Sequence, residues 1–504
     1  MKIYRRLALG MASSLVLSAC TVGPNYQPDR MKLPAGFKEA AEEHPATPEE
    51  IARTNKEMVE WWSLFQDPLL SRLVDEAIQG NYDLQIASQH ILAERAVRDR
   101  AASQWYPQLD ANMGGGDVRY SLNIDNWPIR PGNPQNRPEA SLLTYGATAS
   151  WELDMFGRIR RDVEAHEREV ETTIEGRRAI LMGLLSELAS DYMLLRVTQL
   201  QIKIATDNIR VAQDALDLTN RLYSEGVGNT LQIAQAQAEL DAQIAEREPL
   251  KTRVSQVTHA IAVLLGKMPG ELEDELKQPR DLPHVPDFPA VLPSVVIANR
   301  PDVRMAERKY ALATAQIGVA VANLYPHFVV PLTFNPNASA MYQAFQVNAM
   351  SWQFLLMASM PLMHGGKMTA EVRASQATAE AARLSYRQTV LQAFKEVEDS
   401  MAAWHDDIEY AEQLHKASED SATASERARK LYGAGLVGFL EVLTTERTTL
   451  KAQNMEALAR LERLRDAVNL YTALGAGWKG VALTNSTLPV SLETQNVLAK
   501  AFSQ

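Results

Sequence analysis

At 504 residues the chain is long enough for two or three ordinary domains or for one large repetitive one. Acids outnumber bases 62 to 51, and the formal net charge of −11 argues against a nucleic-acid binder built on a basic face. A single cysteine excludes an intrachain disulfide framework and any cysteine-rich metal or redox cluster.

The predicted elements begin with a leader. Lys2, Arg5 and Arg6 form a basic start, and Leu7 to Ala19 form an apolar run that suits a secretory signal but is too short to span a bilayer. Removing residues 1–19 takes away three bases and no acid, lowering the charge from −11 to −14, so the mature surface is acidic. The run ends Leu17-Ser18-Ala19-Cys20, which resembles the lipobox of bacterial lipoproteins. That resemblance implies cleavage before Cys20 and a diacylglyceride and fatty acyl chain on it. Thr21 follows, and in the lipoprotein class the lack of Asp at that position implies outer-membrane sorting. No later segment holds about 18 consecutive apolar residues, so a membrane crossing would have to be made by strands.

Most of the remaining chain repeats. Arg221-Leu222-Tyr223-Ser224-Glu225-Gly226 matches Lys430-Leu431-Tyr432-Gly433-Ala434-Gly435 at an offset of 209, and the same offset carries Leu153, Gly157 and Arg158 onto Leu362, Gly366 and Lys367. Upstream the offset is 219, taking Asp83 and Tyr106-Pro107 onto Asp302 and Tyr325-Pro326. The first half thus carries about ten extra residues in a loop crowded with Pro128, Pro131, Pro134 and Pro138.

Each half reads helix, strand, loop, strand, very long helix, tight turn, helix. Asp67-Pro68 is an N-cap followed by proline at the first helical position, opening a helix to Gly80. A second helix runs from Asp83 to about Tyr106 and stops at Pro107. Leu143 to Leu153 alternates apolar and polar residues with a period of two, as do Phe328 to Phe334 and Met350 to Met360, and Leu109 to Met113 forms a fourth strand. Met341, Met350, Met357, Met360, Met363 and Met368 read as apolar filling of a lipid-facing strand. Lys367 to Tyr432 contains neither Gly nor Pro and Arg158 to Tyr223 no Pro, so each predicts a rod of about 100 Å. The return helices, Thr230–Leu265 and Phe439–Leu474, are about half as long, and Pro249 predicts a kink or break in the first.

Four strands cannot close a barrel and an open edge cannot face lipid, so the chain must share its barrel with copies of itself. Three copies, the number implied by the family resemblance given below and not by the strands themselves, would supply twelve, and barrel plus helical cylinder would reach about 130 Å. The loops at 117–141 and 336–348 would face outside and the turns at 224–229 and 433–438 would lie at the far end.

The paired Leu-Tyr-x-x-Gly turns, the segment Trp151-Glu152-Leu153-Asp154-Met155-Phe156-Gly157-Arg158, the paired Tyr-Pro, the Leu-Ser-Ala-Cys signal and Trp61-Trp62 with Phe65 and Asp67 together resemble the TolC-like outer-membrane factors. The resemblance is to their lipoprotein branch, which serves resistance-nodulation-division (RND) efflux pumps. It implies an α+β membrane protein: a homotrimer with a 12-stranded shared barrel continuing into a long periplasmic α-helical barrel. It also implies a passive exit duct for small molecules that docks on a periplasmic adaptor and is energised by an inner-membrane RND transporter. The expected organisation is a signal peptide at 1–19, a lipidated extension at 20–66, one repeat at 67–266, a linker at 267–286, a second repeat at 287–475 and a C-terminal extension at 476–504.

Gly433-Ala434-Gly435-Leu436-Val437-Gly438 has the form G-x-G-x-x-G, but it joins two helices instead of following a strand, so it reads as a helix reversal and not a dinucleotide site. In the family such turns meet the adaptor tip to tip, which makes Gly226, Val227, Gly435, Leu436 and Val437 the expected contacts. Glu441 would recur in a trimer as a carboxylate ring near the narrow end, a selectivity and gating element. The family places a second acid where Thr444 stands and a latch acid, opposite Tyr432, where Gln232 stands; Arg447 is a substitute partner one turn on. No H-E-x-x-H or G-x-S-x-G is present, so neither an enzyme nor a bound cofactor or metal is expected beyond the lipid. Two further readings are a type I secretion exit for polypeptides and a coiled-coil lipoprotein scaffold without a pore.

Overall fold

The structure, a computed structural model, describes residues 21–32, 34, 36–38, 53, 56–119, 139–287, 296, 298–338 and 341–482. Cys20, the leader, most of the loop at 117–141 and the residues after 482 lie outside the described residues. In chain order the principal elements are α1 (Pro68–Gly80), α2 (Tyr82–Ala102), β1 (Gln108–Arg119), β2 (Glu139–Leu153), α3 (Arg158–Ser224) and α4 (Thr230–Leu264). There follow α5 (Pro301–Ala322), β3 (His327–Phe334), β4 (Asn337–Ala338), β5 (Trp352–Phe354), β6 (Met357–Ser359), α6 (Lys367–Gly433) and α7 (Phe439–Ala473). The chain divides into two units, one built from residues 1–29, 92–172 and 306–385 and the other from 30–91, 173–305 and 386–504.

The first unit holds the sheet, an antiparallel arrangement in the order β1-β2-β3-β5. β1 pairs with β2 from Gln108↔Ser150 to Arg119↔Glu139, so the strand expected over Leu109 to Met113 is 12 residues long and paired throughout. β2 pairs with β3 from Ala147↔Phe334 to Leu153↔Phe328.

Prolines set where the later strands break. β4 continues β3 in the same register against β2, with Leu143↔Ala338, and the gap falls at Asn335-Pro336. The expected continuous strand Met350–Met360 is instead two three-residue pieces, β5 and β6, both in one register with β3. The interruption lies opposite Pro331. Leu355 N–H donates to Pro331 O (3.2 Å), but proline has no N–H to return, so the ladder lapses at Leu355-Leu356. The stretch 336–348, expected as a loop, carries β4 and the short helices Met341–Ala344 and Val347–Ala349.

The Trp151–Arg158 segment is a strand-to-helix joint. Asp154 accepts the backbone N–H of Ile159 (3.1 Å) and of Arg160 (3.0 Å), capping α3. Arg158 pairs with both oxygens of Glu152 (2.9 and 2.7 Å), and Phe156 stacks on Tyr325, the tyrosine of the second Tyr-Pro, with ring centroids 4.7 Å apart.

α3 and α6 are unbroken helices of 67 residues and α4 and α7 of 35, each pair starting 209 positions apart. Gly176 and Gly183 do not interrupt α3, and α4 continues through Pro249 where a kink or break is expected from sequence. The second unit has the larger core. Asp67 caps α1 through Leu69 and Leu70 N–H and also accepts the hydroxyl of buried Tyr192 (2.5 Å). Trp61 stacks on Tyr471 (5.9 Å, 8°), and Gly477 N–H donates to Met58 O (2.8 Å), tying the flanks of both repeats into one core. None of the described helices is long and apolar enough to cross a membrane.

Candidate functional site at the helical turns

Both long helices end in the same hydrogen-bonded turn. After α3, Val227 N–H donates to Leu222 O (2.9 Å) and Gly226 N–H to Tyr223 O (3.0 Å); after α6, Leu436 N–H donates to Leu431 O (2.9 Å) and Gly435 N–H to Tyr432 O (2.9 Å). This bond pair is the Schellman termination, which places one residue in the left-handed region. Gly226 (φ +79°) and Gly435 (φ +72°) fill that position. A Cβ at either glycine would meet nothing within 4 Å, so backbone conformation and not space demands glycine there. The next residue is apolar and exposed in both turns, Val227 at 69% and Leu436 at 72%. Val437, expected as a fifth contact, turns inward and packs on the core beneath.

That core joins Ala212, Leu216, Leu240, Tyr432, Phe439 and Val442. Tyr432 is buried against Phe439 (5.5 Å between rings), and its hydroxyl has no hydrogen-bond partner among the described residues. Among the described residues Tyr432 and Gln232 share no hydrogen bond. Gln232 occupies the third position of α4, where its Oε1 accepts Asn229 N–H (3.1 Å) while Asn229 Oδ1 accepts Gln232 N–H (3.0 Å). This reciprocal capping box engages the amide oxygen of Gln232.

Glu441 holds the equivalent third position of α7, 209 residues on, and is exposed. Gly438 precedes it as an N-cap without a side chain, so the open N–H groups of α7 favour a carboxylate at this place. Thr444 is exposed and returns its hydroxyl to Leu440 O (2.7 Å). Arg447 does not turn to Glu441. Its Nε and Nη2 each lie 2.8 Å from Glu239 Oε2 on α4, where a buried carboxylate offers a stronger partner than an exposed one.

Four residues of this site escaped the sequence reading. Glu239, 5% exposed, also accepts Gln243 Nε2 (2.8 Å). Glu446, 8% exposed, lies 3.9 Å from Arg429 Nε, and its Oε1 has no hydrogen bond among the described residues. Burial pushes the Glu446 carboxyl up to about 7; Arg429 opposes the rise and Glu239 adds to it. The usable signal was a charge set in the apolar stripe Val442, Leu443, Glu446 and Leu450 of α7.

At the other unit the residues after Cys20 have a built seat. Val22 N–H donates to Phe156 O (3.1 Å), and Arg161, only 4% exposed, donates to Asn25 Oδ1 (2.6 Å). Gly157 (φ +85°) admits this segment: a Cβ there would fall 3.0 Å from Thr21 Cα. Among the described residues no group of three or more His, Cys, Asp or Glu side chains is placed to hold a metal ion.

Comparisons with known proteins agree with this architecture. The family model for outer membrane efflux protein matches residues 73–267 and 292–476, which include every strand, both long helices and both turns. Nodulation protein T of Rhizobium leguminosarum bv. trifolii is 27% identical over 470 residues, covering 93% of this chain and 97% of that one. The cation efflux system protein CusC of Escherichia coli O6:H1 is 28% identical over 469 residues, covering 92% and 97%. Among solved structures, the outer-membrane channel OprN superposes with a TM-score of 0.82 at 32% identity, covering 91% of this chain and 100% of that one. A helical scaffold without a pore would share neither the strands nor this likeness. The chain belongs to the outer membrane efflux protein family and serves as an exit channel in the Gram-negative outer membrane, extending into the periplasm.

Proposed function

We propose that three copies of this chain close a 12-stranded barrel and a periplasmic helical tube, forming the exit duct of a tripartite pump. The observation that carries the reading is the sheet itself: four strand positions in one antiparallel meander, with β1 and the β5–β6 strand at its two edges. An unpaired edge cannot face hydrocarbon, and four strands are too few to curl shut, so copies must supply the missing pairings. Equal helix lengths at one offset support a duplicated unit, divided as 67–266 and 287–475 around the linker at 267–286.

The duct is passive: a periplasmic adaptor meets Gly226, Val227, Gly435 and Leu436 at the turns, and an inner-membrane RND transporter supplies the energy. Glu441, with Thr444 behind it, forms the carboxylate ring at that end, and its exposure supports the role. Cys20 carries the lipid, and the seat for Thr21 to Asn25 supports an anchor held against the strand-to-helix joint. The relatives' names, cation efflux in one and nodulation in another, give no common cargo, so the substrate class here is small molecules without a narrower choice. Detergent-extracted particles should show threefold symmetry by electron microscopy and conduct ions in planar bilayers. Particles of another symmetry, or threefold particles that never conduct, would overturn the reading.

A further inference from the structure

Arg177 on α3 is a buried cation that forms no ion pair among the described residues. Only 4% of it is exposed, and among the described residues its one side-chain hydrogen bond runs from Nε to Ser88 Oγ (2.9 Å). Ser88 in turn donates to Leu84 O (2.8 Å), so the hydroxyl is neutral and fully engaged. The nearest carboxylate in sequence, Glu175, turns its Oε1 to Arg178 (2.6 Å) and Arg304 (2.9 Å) and forms no ion pair with Arg177 among the described residues. Burial, together with the neighbouring Arg178, depresses the Arg177 pKa. Arginine is almost never fully buried unless paired, because an isolated charge loses its hydration and gains nothing back.

The same side chain lines a cavity of about 660 Å³ whose wall includes Trp62, Ile78, Leu84, Gln89 and Val481. One cationic group and an apolar wall in one concavity match a ligand with a single carboxylate on an apolar body, since a guanidinium presents two parallel donors to a carboxylate. Glu60 and Asp75 also line the cavity and disfavour a doubly charged anion. We propose that this cavity binds a small organic monoanion, its carboxylate held by the Nη groups of Arg177 and its apolar part lying along Trp62 and Ile78.

The test uses the purified full-length protein in a neutral maltoside, with cinnamate as probe, cinnamyl alcohol as its uncharged analogue and inorganic phosphate as a bare anion, read by equilibrium dialysis. Saturable cinnamate binding at one site per chain is expected, with the alcohol and the Arg177→Met variant at least about tenfold weaker, as loss of a hydrogen bond to a charged group implies. Phosphate should not compete. In the unsubstituted protein, cinnamate should protect Arg177 from phenylglyoxal, read by mass spectrometry, which keeps the test intact if Arg177→Met fails to fold. Absence of saturable binding, equal binding by Arg177→Met, or competition by phosphate would overturn the proposal. So would loss of assembly in Arg177→Met combined with unprotected Arg177, an outcome that assigns the counter-ion to a neighbouring copy's carboxylate.

Discussion

The turn after α3 and the turn after α6 share one backbone and differ in charge. Both use the same Schellman bonds and a left-handed glycine, at Gly226 and Gly435, and both present an apolar residue at the apex. At the start of the return helix they part. Asn229 and Gln232 cap α4 with neutral side chains, whereas Gly438 leaves α7 without a side-chain cap and Glu441 brings a carboxylate to the same position. Duplication therefore preserves what the backbone requires and frees the side chains: a site can become charged in one copy while the other stays neutral. Below the turns the asymmetry continues, because Arg447 of α7 reaches Glu239 of α4 while Glu446 of α7 stays buried beside Arg429 of α6.

The sharpest break in this pairing is a pH change. The folded-state pKa of Glu446 is raised from 4.5 to about 7, so the folded protein holds that proton more tightly than the unfolded chain does. Its contribution to stability is complete below about pH 4.5 and is lost as pH rises through 7, a loss of about 3 kcal/mol if fully expressed. Hydrogen exchange of amides 428–446, corrected for intrinsic rates, should report local opening that grows from pH 5 to pH 8, with the growth absent in Glu446→Gln. Equal growth in both forms would assign the titration elsewhere. Next in size, Gly226→Val and Gly435→Val should each cost about 2 kcal/mol in denaturant unfolding, since a β-branched residue is forced into left-handed backbone. The two costs should agree, and a marked difference would show that the turns are not equivalent.

Charge placed at an apex should affect docking instead of folding: Leu436→Asp is expected to weaken adaptor binding about tenfold by surface plasmon resonance with unfolding unchanged. The smallest pair tests the caps. Asn229→Ala should lose about 1 kcal/mol and Gly438→Asn gain a few tenths, read by thermal unfolding. A loss at both positions would mean that Gly438 is required for its backbone.

What sequence revealed and what it hid follow from the range of the interactions. The 67-residue helices were legible because the only local interruptions that matter, proline and the turn glycines, lie at their ends, and the repeat fixed their offset. The Asp67-Pro68 start was legible for the same local reason. Met350–Met360 misled because the residue that breaks it, Pro331, lies on the neighbouring strand. At Pro249 no break occurs, the surrounding α4 persisting through it. At the turns, Gln232 stands where the family places a latch acid, and the offset of 209 also sets it level with Glu441 at a helix start, which is the role its capping bonds show. The Arg447–Glu239 pair joins residues 208 positions apart, and no local pattern announces such a partner.

The central claim is that the open sheet edges close on copies of the same chain. Asp110 on β1 and Gln353 on β5 lie in one row across the sheet through Thr148 and Thr333, so they mark its two edges at one height. With cysteine at both positions and a flexible bis-maleimide added to outer membranes, denaturing electrophoresis should show covalent dimers and trimers and nothing larger. Monomers alone, or a ladder running past the trimer, would contradict the account.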